Sequence, residues 1–282
     1  MDNAKLCFMT ISEVSGLLAS GELSPVELVQ AHLDRIAGTD PKLNSFITLL
    51  QKESLEAARG AEQEIRESGS RGPLHGVPIG LKDLYYTKGV RTTVGSKILA
   101  DFVPDYDAAV VEKFSDAGAV LLGKLQMHEF AFGASSENPH YGPAHNPWDT
   151  DRVTGGSSGG SGSSVAAGQA MATLGSDTGG SVRIPSALCG IVGLKPTYGL
   201  VSRYGVYPLC WSLDTVGPMT RSVRDAALVM NAIAGPDARD PSSSERTPAD
   251  FTRRLGRPID GLRIGIPQEH YFDVLDPKVE KA

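Results

Sequence analysis

The sequence predicts an α/β domain, and three observations lead there. Helical and strand-like segments alternate through the middle of the chain, as in DAAVVEKFSDAG followed by AVLLGKL. Short apolar runs mix with Gly and Pro in PLHGVPIGLKDLYYT, the texture of buried strands and turns. Hydrophobic residues make up 40% and charged residues 21%, an ordinary globular balance. Alternation of this kind builds a sheet covered by helices.

The N-terminal third, residues 10–70, reads as helices. Thr10-Ile11-Ser12-Glu13 has the S/T-x-x-E form of a capping box, and Ser24-Pro25-Val26-Glu27 repeats it with proline at the first helical position. Val26, Val29, Leu33 and Ile36 then share one face of SPVELVQAHLDRI. KESLEAARGAEQEIRES reads as a further helix with an exposed, charged face. Residues 72–235 form the expected core, with strands at AVLLGKL, GIVGL (190–194) and, beyond it, GLRIGIP (261–267). The Ser-, Pro- and charge-rich stretch 239–258 reads as a surface loop. Asp276-Pro277 is a good helix start, yet only about one turn follows, too little to be stable alone. One domain, truncated at its C-terminus, is therefore expected.

Composition narrows the function. A net charge of −6 offers no basic face to a phosphate backbone or an anionic lipid, so no direct nucleic-acid or membrane partner is expected. The longest apolar runs fall far short of a bilayer span, and MDNAKLCFMT lacks a secretory h-region. Cys7, Cys189 and Cys210 have no paired spacing and read as free thiols of a cytoplasmic protein.

Three motif matches fail on chemistry. Gly118-x-x-x-x-Gly123-Lys124 resembles a phosphate loop, but Leu125 stands where a Ser or Thr must reach magnesium, and Ala-Val-Leu-Leu fills the interval. Gly155-Gly156-Ser157-Ser158-Gly159 matches G-x-S-x-G, but NPWDTDRVT is no buried strand and only His270 follows as a base. His128-Glu129, His140 and His145 fit no metal-ligand pattern.

What remains is the density of small residues in GGSSGGSGSS (155–164) and LGSDTGGSVRIP (174–185). Small side chains let helices pack tightly and let backbone N–H groups approach a ligand. Gly179-Gly180-Ser181 presents a serine on a bare backbone, whose amides suit a developing oxyanion. A serine needs a base. No histidine lies near, which leaves Lys82 in Gly80-Leu81-Lys82-Asp83, an apolar setting that lowers a lysine pKa toward neutrality. By themselves, such a lysine is more often a structural ion-pair partner and such a serine a turn residue.

The order and length of GVPIGLKD (76–83), GGSSGG (155–160), GSDTGGSVRIP (175–185), CGIVGLKPTYG (189–199) and SLDTVGPMTRSV (212–223) resemble the amidase signature family. The resemblance spans the chain from about residue 10. It implies an α/β/α sandwich around a mixed central sheet and a Ser–Ser–Lys hydrolase without metal or cofactor. Lys82 is then the base, Ser157, after a cis peptide bond, the bridge, and Ser181 the nucleophile. The amides of Thr178, Gly179, Gly180 and Ser181 match the oxyanion loop, and Ser158, Asp177 and Arg183 match bracing positions. Met127, Phe130, Tyr141 and Trp211 are candidates for an acyl pocket, although core packing is the commoner role for such side chains.

The implied substrate is a small-molecule amide. Within the family, Ile184 and ENPHYGPAHNPWD (137–149) point to a stand-alone amidase, with a homodimer as the assembly, because the A-type component of glutamyl-tRNA amidotransferase has glutamine after the arginine. The alternatives are that glutaminase component, with B- and C-type partners, or an inactive fragment. One departure stands out: Gly162-Ser163-Ser164 replace alanines of the family pattern, so a weakened helix start is expected there.

Overall fold

The structure, a computed structural model, describes residues 3–266 and 274–281. Helix α1 (Asn3–Phe8) leads into α2 (Ile11–Ser20) and α3 (Pro25–Leu43). Thr10 caps α2 with a complete capping box, and the Ser24 hydroxyl accepts from the amides of Val26 and Glu27 at the start of α3. The N-terminal third also contains a strand, β1 (Phe46–Leu49), before α4 (Gln51–Ser68). Four residues are too few to show a period; pairing with a distant strand makes FITL extended.

Then come β2 (Pro78–Lys82), α5 (Ala109–Asp116) and β3 (Val120–Leu125). Short strands β4 (Glu137–Asn138), β5 (Gly142–Pro143), β6 (His145–Asn146) and β7 (Asp149–Val153) form two small hairpin sheets. Helix α6 (Gly159–Ala166), β8 (Ala172–Asp177), α7 (Arg183–Cys189), β9 (Val192–Gly193), β10 (Thr215–Thr220), α8 (Val223–Ile233) and α9 (Pro277–Lys281) follow. The main sheet has the order β1-β3-β2-β8-β10-β9. β2 runs parallel to both β3 and β8, whereas β1, β10 and β9 join antiparallel, so the sheet is mixed. Val120 and Leu122 of β3 enter an apolar cluster with α3 residues, and the intervening Leu121 packs against the larger cluster containing residues of α2 and α8. That alternation is the two-sided burial of a central strand.

Two strand expectations change. Residues 190–194 are mostly not strand: Gly190, at φ 69°, ends α7, and only Val192–Gly193 pairs with β10. Residues 261–266 form no strand, and Leu262, Ile264 and Ile266 are exposed; residue 267 lies outside the described residues. An alternating apolar segment becomes a strand only where an edge accepts its backbone.

Helix α6 is built almost wholly from Gly and Ser and is buried from Gly159 to Val165. It threads against β2, β8, β10 and α7. A Cβ on Gly160 would lie 2.4 Å from the Ser45 carbonyl oxygen and 2.6 Å from the Gln126 nitrogen, both backbone atoms. Gly160→Ala is therefore expected to destabilise the fold by about 1–3 kcal/mol, despite alanine's better helix propensity. Gly16, exposed in α2 with nothing within 4 Å of where a Cβ would stand, is the control. Gly16→Ala should raise stability by up to about 1 kcal/mol, both changes being read by denaturant unfolding. A Gly160→Ala variant as stable as wild type would refute the close-approach argument.

The expected weakness at residues 162–164 is corrected by packing. A Cβ on Gly162 would lie 3.2 Å from the Pro185 carbonyl oxygen and 3.3 Å from Cys189 Sγ, so glycine admits α7. Ser163 donates to the His145 carbonyl (2.8 Å) and accepts from the Ser45 hydroxyl (3.1 Å). Ser164 donates to the Ser161 carbonyl at 3.2 Å. Helix propensity lost there is offset by these contacts.

Candidate active site

The parallel strands β2 and β8 bring their C-terminal ends together, with Leu81 opposite Leu174. Lys82 is the last residue of β2, and its side chain is fully buried. Its Nζ lies 2.7 Å from Ser157 Oγ and 2.9 Å from Ser176 Oγ, within hydrogen-bonding reach of both. Burial drives the Lys82 pKa down to about 7, against the opposing pull of the Asp214 and Asp177 charges. At pH 7 such an amine is neutral in about half of the molecules, and the neutral form is what proton abstraction requires.

Ser157 is fully buried at the entrance to α6, after a cis Gly156–Ser157 peptide bond. Its carbonyl accepts the His128 amide at 3.1 Å. Glycine is required beside it: a Cβ on Gly156 would lie 2.7 Å from the Ser136 nitrogen. Ser158 donates to the Ser176 carbonyl at 3.4 Å.

Ser181 follows β8 across Thr178-Gly179-Gly180 and precedes α7; it is 9% exposed. Gly180 sits at φ 136°, a region that disfavours side chains, and its carbonyl accepts the Ile184 amide at 2.7 Å. Gly179 is exposed with open space where a Cβ would be. Asp177 anchors the far side of this loop. One oxygen accepts the amides of Val182 (3.2 Å) and Arg183 (3.3 Å), and the Arg183 guanidinium grips both oxygens, Nε at 3.0 Å and Nη2 at 2.9 Å. Burial raises the Asp177 pKa, but those bonds outweigh it and leave it below the usual carboxylate value.

A cavity of about 390 Å³ opens beside Ser176, walled by Tyr207, Leu209, Trp211 and Asp214 among others. Of the four acyl-pocket candidates, Trp211 lines it. Met127 is fully buried in the main core, and Phe130 stacks behind the wall with its ring 5.7 Å from that of Tyr207. The Tyr141 backbone amide is held by Asn138 at 3.0 Å, and its ring does not line the cavity. Side chains that follow a buried strand such as β3 turn into the core, which explains Met127.

Two residues that sequence reasoning missed belong to this geometry, Ser176 and Asp214. A serine inside the buried strand β8 and an acid just before β10 are the signals for them, but neither motif says that Ser176 bonds to Lys82 or that the Asp214 charge reaches it. Lys124, the lysine of the phosphate-loop match, is a second buried amine. It bonds to the carbonyl of Tyr85 and, at 2.7 Å, to the Thr92 hydroxyl, and it lies 3.9 Å from Asp83 Oδ1. Burial lowers the Lys124 pKa and raises that of Asp83. This pair buttresses the turn directly after Lys82.

Comparison with known proteins shows what the chain resembles. A family model described as Amidase matches residues 27–282. The A component of the glutamyl-tRNA(Gln) amidotransferase of Heliobacterium modesticaldum is 51% identical over 278 residues, covering 99% of this chain and 57% of that protein. The native peptide amidase of Stenotrophomonas maltophilia superposes with a TM-score of 0.84 at 42% identity, over 88% of this chain and 53% of its own. A vestigial protein complex that reveals the origins of an s-triazine catabolic enzyme gives a TM-score of 0.88 at 42% identity, over 90% of this chain and 56% of its own. The chain thus spans little more than half the length of the relatives it matches.

Proposed function

This chain belongs to the amidase family, and from that premise we propose that it carries the Ser–Ser–Lys centre of an enzyme that hydrolyses carboxamide C–N bonds. The observation that carries the reading is the 2.7 Å contact between Ser157 Oγ and the buried Nζ of Lys82. Ser181 attacks the amide carbonyl as its proton passes through Ser157 to neutral Lys82. The amides of Thr178 to Ser181 receive the oxyanion, and the Lys82 ammonium returns a proton to the leaving amine. Water then attacks the seryl ester by the reverse relay, releasing the acid.

The stand-alone hydrolase reading rests on Ile184. Its side chain packs where Cβ atoms on Gly155 and Gly180 would be, 3.0 Å and 2.8 Å away, and so fills the space between the two serine loops with an apolar group. A second reading, release of ammonia from glutamine for B- and C-type partners, is favoured by the 51% identity to the A component of an amidotransferase.

Ammonia release across a panel of amides tests both. The hydrolase reading expects turnover of amides other than glutamine and a serine-directed acyl probe attached to Ser181. Glutamine as the one good substrate, or co-purification with B- and C-type partners, supports the second reading. Labelling of Ser157 in place of Ser181 would overturn the assignment of the nucleophile.

A further inference from the structure

β8 and β10 pair antiparallel with Thr215 opposite Asp177. The residues just beyond that pair, Asp214 and Thr178, therefore meet at the end of the sheet. Asp214 uses both of its carboxylate oxygens. Oδ1 accepts the Thr178 hydroxyl at 2.5 Å, and Oδ2 accepts the amides of Leu209 (2.8 Å) and Cys210 (2.9 Å). One end of the carboxylate thus holds the loop that leads to Ser181. The other end holds the turn whose Leu209 and Trp211 wall the cavity.

Its charge is also distinctive. Asp177 and Asp214 are the carboxylates whose charges act on Lys82 from β8 and from the approach to β10, and His128, beyond β3, is the cationic group facing it when protonated. Asp177 is matched by Arg183 at 2.9 Å. Arg203 reaches the backbone carbonyl of Asp214, at 3.5 Å, and pairs its own charge with Asp240. Among the described residues, no cation lies within 4 Å of the Asp214 carboxylate.

We propose that the cavity beside Ser176 takes the acyl group of the substrate, and that Asp214 is a positioning residue that clasps the Ser181 loop to the wall of that cavity and supplies the site's unmatched negative charge. This rests on the Ser–Ser–Lys reading. The clasp makes the distance between the reacting carbonyl and the acyl wall a fixed quantity, so it affects bulky amides more than small ones. The charge favours the ammonium form of Lys82 during the reaction, in opposition to burial.

Two variants of the full chain separate these roles. In Asp214→Asn the amide oxygen can accept from Leu209 and Cys210 while its NH2 donates to the Thr178 hydroxyl, so the clasp survives and the charge goes. The acid limb of kcat/KM should move to lower pH by roughly half a unit or more, with KM changed less than about twofold. Asp214→Ala removes the clasp as well. KM for phenylacetamide should rise about tenfold and that for acetamide far less.

A residue that only supports the fold would leave the pH limb of Asp214→Asn in place. Titration of Lys82 by 15N NMR in lysine-labelled protein reads the same shift without substrate, and remains available if Asp214→Ala fails to fold. An unmoved Lys82 midpoint in Asp214→Asn overturns the assignment. Absent turnover of every amide, together with a shifted midpoint, sinks the hydrolase reading and leaves Asp214's charge effect standing.

Discussion

Ser181→Ala is expected to lower kcat/KM for any amide substrate by about 10⁴-fold or more, while leaving folding nearly intact. In the proposed mechanism the hydroxyl oxygen forms and breaks the acyl bond, so no neighbour can substitute for it, and groups that act as a unit show losses of this order. The loop that carries it is held by other atoms: the Gly180 carbonyl to the Ile184 amide and Asp177 to the amides of Val182 and Arg183. Unfolding stability should therefore stay within about 1 kcal/mol of wild type. Steady-state ammonia release gives the rate, and mass spectrometry after a short reaction gives the acyl adduct. Retention of more than a tenth of the activity, with the adduct still present, would sink Ser181 as nucleophile.

Lys82→Met should be nearly as damaging to catalysis, with about 10³-fold or more lost, and its signature lies in pH. With a folded pKa of about 7 and Lys82 as the base, wild-type activity should rise through neutrality as Lys82 loses its proton and fall about tenfold per unit on the acid side. The variant should lose this limb. Stability supplies an independent check of sign. The unfolded chain holds the Lys82 proton up to the ordinary lysine value of 10.5, whereas the folded chain releases it near 7. Between those values the unfolded state binds more protons, so this group makes wild type more stable as pH rises, by up to about 1.4 kcal/mol per unit. Below about pH 7 its contribution is at its least favourable. The stability difference between Lys82→Met and wild type should therefore shrink as pH rises from 7 to 10. Parallel stability curves would show that Lys82 is not held neutral.

Much of this is legible from residue pattern. Thr10 and Ser24 mark helix starts because capping is local: the side chain bonds to amides two or three residues on. Gly80-Leu81-Lys82-Asp83 exposes a lysine in an apolar frame, and resemblance pairs it with Ser157 and Ser181. The pattern is silent on β1, because its extended form depends on β3, more than seventy residues later. It misjudges residues 162–164, because the partners that make small residues favourable, Ser45, His145, Pro185 and Cys189, are distant in the chain. Of its four pocket candidates, Trp211 lines the cavity beside Ser176, with Tyr207 and Leu209, whereas Met127, Phe130 and Tyr141 do not.

The sequence by itself determined the α/β class, the helix caps and the residue types able to act as nucleophile, relay and base. These follow from short-range periodicity, small-residue clusters and the order of motifs. Only the tertiary structure decided that Ser176 joins Ser157 at Lys82 and that Asp214 meets Thr178. Strand register sets both contacts. Leu81 stands opposite Leu174 and Thr215 opposite Asp177, and such pairings between residues tens of positions apart leave no mark in any local stretch of chain.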